Sequence, residues 1–259
     1  MDEIHYTIIS DATTCLSAYR MGELDAITIF PLAEIPLLLQ EEDNLYVFPA
    51  FTTRAVAFNN TQEPFDNPKV REALSKAIDR EQLIEVIASA GEETATGLIP
   101  NGLMIGGQNF RGLSGNLGIE DTAMVQEAQA LLAEAGYPNG EGWPEDVSFI
   151  FYDVDLYKLT AEAIQEMWKN NLNIDVELGA IEKSVCKSMR NSGDYGMTLV
   201  AWSADYSYPL SFLEQWTSSS SYNYLNYSSE EYDSLIAQIR ETTDLDEIIN
   251  LYVADEQLA

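Results

Sequence analysis

Residues 193–209, GDYGMTLVAWSADYSYP, decide how this sequence is expected to fold. A turn at residues 192–194 leads into an apolar run, residues 197–202, which is too short for a helix. Polar and aromatic residues then precede Pro209. This pattern predicts a buried strand that carries the carboxylate of Asp205 and aromatic rings to its C-terminal edge. In an open α/β sheet, ligands usually bind at that edge.

The sequence before this strand alternates between strand and helix patterns, which predicts βαβ units and a mixed or parallel sheet. The predicted order is strand 147–152, helix 158–170, strand 174–178, helix 181–190 and strand 197–202. A helix over residues 121–135 precedes them, and a second helical region after Pro209 includes a capping box, SSEE, at residues 228–231.

The first 59 residues predict a smaller α/β segment. Its predicted strands cover residues 3–9, 25–30, 44–49 and 54–59, with one helix capped by Asp11 and another ending at Gln40. A polar hinge, NNTQEPFDNP at residues 59–68, separates this segment from the rest of the chain.

Helices are expected directly after the hinge. Asn67 followed by Pro68 predicts a helix start, and Asp79 with Gln82 predicts a second one. Residues 91–118 are rich in glycine and show no periodicity, so they are predicted to form a surface loop.

Charge and cysteine content exclude several classes of function. The chain has 43 acidic and 13 basic residues, a net charge of −30, which repels nucleic acid and anionic lipid. Cys15 and Cys186 form no CxxC motif and are predicted to be buried free thiols in helices, a disulfide between them being the alternative. Neither a signal peptide nor an apolar run long enough for a membrane span is predicted.

Catalytic motifs are nearly absent. The single histidine, His5, alternates with apolar residues and is predicted to be structural on the first strand, and GxGxxG, GxxxxGK[ST], HExxH and EF-hand patterns do not occur. Asp153 and Asp155 follow a hydrophobic strand, a pattern typical of haloacid-dehalogenase-like phosphotransferases, although Tyr157 departs from it. The alternative is a polar strand-to-helix turn with Asp155 near a helix N-cap.

Asp205 has two interpretations from the residues alone. Its carboxylate, flanked by Trp202, Tyr206 and Tyr208, suits a ligand cation with aromatic walls. The alternative is a helix N-cap before Pro209.

Several segments in order resemble a known family: AYRMGELDAITIFP, FNNTQEPFDNPKVREALSKAIDREQLI, ATGLIP, LLAEAGYPNG, MWKNNLNIDVEL and WSADYSYPLSFLEQW. Together they resemble the extracytoplasmic peptide-binding proteins of ABC importers, the solute-binding family that includes the oligopeptide and dipeptide receptors. The resemblance implies an α/β, periplasmic-binding-protein-like two-lobed fold of type II, in the large peptide-binding cluster. It implies that residues 1–59 are part of the first lobe, that residues 60–259 are most of the second, and that the chain is a fragment.

The function implied by the resemblance is capture of extracellular peptides for import through an ABC permease, without catalysis, cofactor or metal. The complete protein would then be extracytoplasmic, either periplasmic or a cell-surface lipoprotein. A receptor of the same fold for a nickel chelate, a sugar or an amine is the alternative.

The resemblance also implies site residues. Asp205 would pair with the α-ammonium group of the ligand, Ala201, Trp202 and Ser203 would supply backbone bonds, and Tyr206 would be an aromatic wall. Arg190 lies where some members carry a basic residue near the ligand carboxylate, a solvated arginine being the alternative. Residues 197–200 lack the arginine that such strands can carry, which leaves recognition of the carboxyl end and ligand length open.

Overall fold

The structure is a computed structural model that describes residues 3–41, 44–48, 50–87 and 91–258. The strands are β1 Thr52–Phe58, β2 Met104–Ile105, β3 Gln108–Asn109, β4 Ser148–Tyr152, β5 Glu177–Ile181 and β6 Met197–Ser203. The helices are α1 Ala12–Arg20, α2 Ile35–Glu41, α3 Pro68–Lys76, α4 Arg80–Ile87, α5 Phe110–Ser114, α6 Val125–Glu134, α7 Asp155–Leu172, α8 Lys183–Ser192, α9 Leu210–Leu213, α10 Glu230–Glu241 and α11 Leu245–Leu258. Short 3-10 turns occupy Leu32–Glu34, Pro138–Gly140 and Glu214–Trp216.

The main sheet has the order β1-β6-β4-β5 and is mixed, as predicted. β6 is antiparallel to β1 and parallel to β4, and β4 is parallel to β5. The strand predicted over residues 197–202 is confirmed and extends to Ser203. The bounds predicted for the strand at residues 174–178 are wrong. β5 begins at Glu177, and the buried Ile174 and Val176 precede it.

Helices cover both faces of this sheet, which explains why β6 is apolar at successive positions. Side chains of α3, α6 and α7 form one apolar cluster with Phe149, Phe151, Met197 and Leu199. Ile150 points to the opposite face, as strand alternation requires, and packs with Cys186 of α8.

The two helix starts after the hinge are confirmed. Asn67 caps α3 by accepting a hydrogen bond from the Lys69 amide at 3.0 Å. Asp79 accepts from both the backbone and the side chain of Gln82, at 2.9 and 3.2 Å. The helix start near residue 228 is confirmed, but Ser229 rather than Ser228 caps α10 by accepting from the Tyr232 amide at 3.2 Å, so the predicted capping box of Ser228 and Glu231 is wrong.

The predicted loop over residues 91–118 is more ordered than its sequence pattern indicates. It contains the antiparallel pair β2 and β3, joined by Gly106 and Gly107 with φ of 56° and 80°, and then α5. Two glycines with positive φ are the usual requirement of a two-residue hairpin turn, a signal that the absence of periodicity concealed. Phe110 and Leu103 anchor this segment in a second apolar cluster with α9, α10 and α11.

The chain divides into two compact units, Met1–Phe48 with Ala88–Glu92, and Pro49–Ile87 with Glu93–Ala259. β1 belongs to the second unit, whereas the sequence-based division placed residues 1–59 in the first lobe. The assignment of these segments to the lobes of a complete receptor remains a prediction.

The strands predicted at residues 3–9 and 25–30 are wrong, and residues 44–48 of the third predicted strand form no strand either; Pro49 lies outside the described residues. Their apolar alternation meets no neighbouring strand in the described ranges, and Ile8 is 97% exposed. His5 is correspondingly in no strand, and its side chain is exposed. The helix capped by Asp11 is confirmed as α1, and the Thr14 amide donates to Asp11 at 2.7 Å.

Candidate functional site

The C-terminal half of β6 has a free edge. β6 pairs with β1 along its whole length, from Met197 to Ser203, but with β4 only at Met197 and Thr198. Residues 199–203 therefore have no strand on their second side in the part of the chain that the structure describes. Ala201 and Ser203 are exposed there. Backbone amides and carbonyls along such an edge can bond to an extended ligand.

The turn after β6 is fixed by the first residues of α9. The Asp205 amide donates to Ser211 Oγ at 2.8 Å, and Trp202 Nε1 donates to the Ser211 carbonyl at 2.7 Å. α9 itself begins after Pro209 without a side-chain cap hydrogen bond. Asp205 does not cap this helix, so the N-cap interpretation is wrong, and its side chain is exposed.

Aromatic rings flank this turn. The rings of Trp202 and Tyr222 meet edge to face, with centroids 5.5 Å apart. The Tyr206 hydroxyl donates to Glu214 Oε1 at 2.7 Å, and Glu214 in turn accepts from Arg240. Burial first, and then the hydrogen bond to Glu214, raise the pKa of Tyr206, so this hydroxyl stays protonated. Glu214 holds Tyr206 in position beside Asp205.

Arg190 is buried rather than solvated, so the solvated alternative is wrong. Its guanidinium carbon lies 5.1 Å from the ring centroid of Tyr152 and 5.0 Å from that of Tyr224. One guanidinium nitrogen donates to the Tyr152 hydroxyl, while Nε has no hydrogen-bond partner among the described residues. α8 positions this side chain, and its C-terminal turn ends at Gly193 with φ 75°.

Sequence reasoning identified Arg190 but missed the two tyrosines that hold it. Tyr152 ends β4, so the rule that ligands gather at the C-terminal ends of strands could have found it. Tyr224 lies in a loop without regular structure, and nothing local in the sequence marks it.

The structure brings the predicted residues into two groups. Five of the predicted residues lie close together at the end of β6 and in the turn after it: Ala201, Trp202, Ser203, Asp205 and Tyr206. Arg190 makes its ring contacts elsewhere, with Tyr152 and Tyr224. One loop links the groups, because Tyr222 contacts Trp202 and Tyr224 contacts Arg190.

A cavity of about 380 Å³ lies beside Arg190, near the start of β6. Its lining is polar and includes Asn59, Gly193, Asn223, Tyr224 and Asn226. Asn59 Nδ2 donates to the carbonyls of Gly193 and Tyr195, at 3.1 and 3.2 Å, so this amide is committed to the turn before β6. The cavity is thus at the opposite end of β6 from Asp205.

Asp153 and Asp155 are both exposed. Asp155 is the first residue of α7, and the cap position is taken by Val154, which makes no side-chain cap bond. Within the described ranges, no group of three or more His, Cys, Asp or Glu side chains is placed to hold a metal ion. Cys15 and Cys186 are buried free thiols in α1 and α8, as predicted.

This part of the chain is thus a mixed α/β unit with a free strand edge, flanked by a carboxylate and aromatic rings. No helix in the described ranges combines the length and apolarity needed to cross a bilayer. The family model for bacterial extracellular solute-binding proteins, family 5, middle, matches residues 1–224. The chain belongs to this family.

The relatives of this chain are named as binding proteins. It is 30% identical to the periplasmic oligopeptide-binding protein OppA of Escherichia coli K12 over 99% of this chain and 47% of the relative. It is 27% identical to the dipeptide-binding protein DppE of Bacillus subtilis 168, over 94% of this chain and 44% of that protein. The chain spans about half the length of the curated relatives it matches.

Solved structures are similar in the same way. The complex of Haemophilus influenzae OppA with the peptide RPPGFSPFR matches with a TM-score of 0.84 and 28% identity, covering 95% of this chain and 48% of that chain. The Escherichia coli murein tripeptide-binding protein MppA matches with a TM-score of 0.82 and 27% identity, covering 95% and 47%. These similarities confirm an incomplete two-lobed binding-protein fold.

Proposed function

We propose that this chain is part of the substrate-binding component of an ABC importer that captures peptides outside the cytoplasm and delivers them to a membrane permease. The observation that carries the proposal is the free edge of β6 between Leu199 and Ser203, with Asp205 directly beyond it. A peptide added along this edge would gain main-chain hydrogen bonds whatever its side chains are.

Each site residue has a role in this proposal. Ala201 and Ser203 offer backbone groups along the free edge, whereas the Trp202 backbone lies in a hydrogen-bonded pair with Thr53 of β1. The ring of Trp202, held by Ser211 and Tyr222, forms one wall. The Asp205 carboxylate pairs with the α-ammonium group of the peptide. Tyr206 stands beside it as a second wall.

Arg190 would bind the carboxylate of the ligand. A guanidinium between two rings presents its planar donors in a fixed orientation, which suits a carboxylate. The division predicted from the sequence would put residues 1–59 in the first lobe of the complete receptor and residues 60–259 in the second, but β1, Thr52–Phe58, pairs with β6 and therefore lies with the second.

The test concerns Asp205 in the complete receptor. Asp205→Asn should weaken binding of a peptide with a free N-terminus, while binding of the same peptide after N-acetylation should change little. A charge-assisted bond is worth ~1.5 to 3 kcal/mol, about ten- to more than a hundredfold in affinity. Isothermal titration calorimetry measures both affinities.

Asp194→Asn is the matched control, because Asp194 is an exposed aspartate at the other end of the same stretch. It should leave both affinities unchanged. An equal loss for free and acetylated peptides in Asp205→Asn would remove the proposed role of this carboxylate. Binding of a nickel chelate, a sugar or an amine in place of every peptide would overturn the proposed function.

A further inference from the structure

The free edge of β6 has a fixed hydrogen-bonding register. The Ala204 amide donates to the Phe51 carbonyl at 2.8 Å, so the even-numbered residues of β6, Trp202 among them, bond to β1. The odd-numbered residues from Leu199 to Ser203 turn their amides and carbonyls to the free edge instead. A peptide strand bound there would bond to these odd-numbered residues and would place one of its own residues directly opposite Trp202.

The side chains of such a strand would point alternately to the two faces of the sheet. Residues directly opposite each other on neighbouring strands share a face, so the ligand residue opposite Trp202 would point to the same face as the Trp202 ring. Its two neighbours in the peptide, opposite Ala201 and Ser203, would point to the other face. The two faces therefore decide which positions of the ligand are selected by their side chains.

Two aromatic rings form a corner on the Trp202 face. The rings of Trp202 and Tyr222 meet at an interplanar angle of 71°, with centroids 5.5 Å apart. Trp202 Nε1 already donates to the Ser211 carbonyl at 2.7 Å, so its half-buried ring offers apolar surface. Tyr222 is 57% exposed. We call Trp202 and Tyr222 together the Trp202 corner.

Hydrogen bonds hold the loop that carries Tyr222. The Tyr224 amide donates to the Tyr222 carbonyl at 2.8 Å, and the Tyr224 carbonyl accepts from the Tyr195 hydroxyl at 2.6 Å. The Asn60 amide donates to the Leu225 carbonyl at 2.9 Å, which fixes the loop to the end of β1. Because this loop is already ordered, a side chain that enters the Trp202 corner would bind with little loss of conformational entropy.

The other face is lined by small and polar groups beside the same positions. Ala201 and Ser203 have short, exposed side chains, and Ser203 Oγ lies 2.7 Å from Thr52 Oγ1. Arg54, directly opposite Ala201 on β1, is also exposed. A ligand side chain on this face gains little from this unit by being apolar.

We propose that the Trp202 corner is a subsite for one large apolar or aromatic side chain of the ligand, so that this receptor selects peptides by the residue opposite Trp202 and tolerates any residue on either side of it. The inference rests on the proposed function and specifies its substrate class. Burial of an apolar side chain against two aromatic rings supplies the selectivity.

The experiment measures selectivity in the complete receptor. Tetrapeptides of alanine with Phe, Leu or Gln placed in turn at each position are titrated by calorimetry. We expect the Phe peptide to bind about tenfold more tightly than its Gln counterpart at one position, and the ratio to stay within about twofold at the adjacent positions. At the selective position, the heat capacity change of binding should be more negative for Phe than for Gln, because more apolar surface is buried.

Variants of Tyr222 locate the effect. Tyr222→Ala removes one ring of the Trp202 corner and should reduce the Phe-to-Gln affinity ratio at the selective position about fivefold. Tyr222→Phe is the matched variant, because it keeps the ring and removes only the hydroxyl, and it should preserve the ratio. Tyr222 is exposed, so both variants should fold, which thermal unfolding checks.

Other outcomes separate the two proposals. Equal affinity for Phe and Gln peptides at every position, with Asp205-dependent binding intact, overturns only the subsite. A preference for Phe at two adjacent positions, or one that persists in Tyr222→Ala, would place the selective surface elsewhere and also overturn it. Failure of every peptide to bind overturns the proposed function and the inference with it.

Discussion

The strands of the main sheet and residues 3–48 have similar patterns of apolar residues in the sequence. Strands form in the main sheet but not in residues 3–48. Phe149 of β4 is fully buried, whereas Ile4, Tyr6 and Ile8 are 61%, 89% and 97% exposed. The difference is that β4 has partners on both sides, while residues 3–9 have no strand partner in the described ranges. An alternation of apolar and polar residues indicates which side chains share one face of a strand. The strand itself forms only where a neighbouring strand completes the backbone hydrogen bonds.

The largest expected effect is in amide hydrogen exchange of this chain. Amides of Ala57 and Thr198, a hydrogen-bonded pair of β1 and β6, should exchange at least about a thousandfold more slowly than those of Ile4 and Ile8. The reason is that only the first two lie in a paired sheet. Exchange followed by mass spectrometry or NMR measures it, and comparable protection in residues 3–9 would show that they pair in solution.

Removal of one ring from each region gives the next largest effect. Phe149→Ala should lower the free energy of unfolding by about 3 to 5 kcal/mol, because the ring is fully buried beside Trp168 at 5.6 Å. Phe48→Ala is the matched change in the other region, where the ring is 78% exposed, and should cost less than about 0.5 kcal/mol. Similar losses in urea unfolding would remove the contrast between the regions.

Two neighbouring carboxylates show that burial alone does not ensure stability within the second unit. Glu256 is 1% exposed and fully bonded, to the Ile99 amide at 2.9 Å, to Ser114 Oγ at 2.6 Å and to Arg111. Asp255 is 0% exposed, and neither of its oxygens has a partner among the described residues. Burial, with a smaller contribution from the negative charge of Asp233, raises the pKa of Asp255 to about 8.

A pH-dependent loss of stability follows from Asp255. The folded state holds its proton more tightly than the unfolded state, so the chain is most stable with respect to this group below about pH 4. Stability is then lost as the pH rises to about 8. Asp255→Asn should abolish this loss and stabilise the chain at pH 8 by on the order of 3 kcal/mol.

Thermal unfolding of this chain between pH 4 and 9 measures the effect of Asp255→Asn. Asp246→Asn is the control, an exposed aspartate on the same helix, and should leave the pH profile as it is. Glu256→Gln should lower stability instead, because it weakens a bonded network around Arg111. An unchanged profile in Asp255→Asn would contradict the burial of this carboxylate in an unpaired state.

Much of the second unit could be predicted because its signals are local. Asn67 and Asp79 each predict a helix start, because the side chain of each caps the helix that follows. An apolar run between a turn and a proline predicts β6. The hairpin at Gly106 and Gly107 was missed because its strands have only two residues each. The bounds of β5 were not predicted correctly, because the apolar pattern of the sequence begins with buried residues that precede the strand.

The sequence by itself determined the strand β6, the turn that follows it and the position of Asp205 at its end, since each depends on residues adjacent in the chain. Only the tertiary structure decided that the second half of β6 has a free edge, because that depends on where β4 stops pairing with it. It also decided that Arg190 lies between Tyr152 and Tyr224, two rings far apart in sequence. Contacts between distant residues depend on how strands and helices pack, which no local pattern encodes.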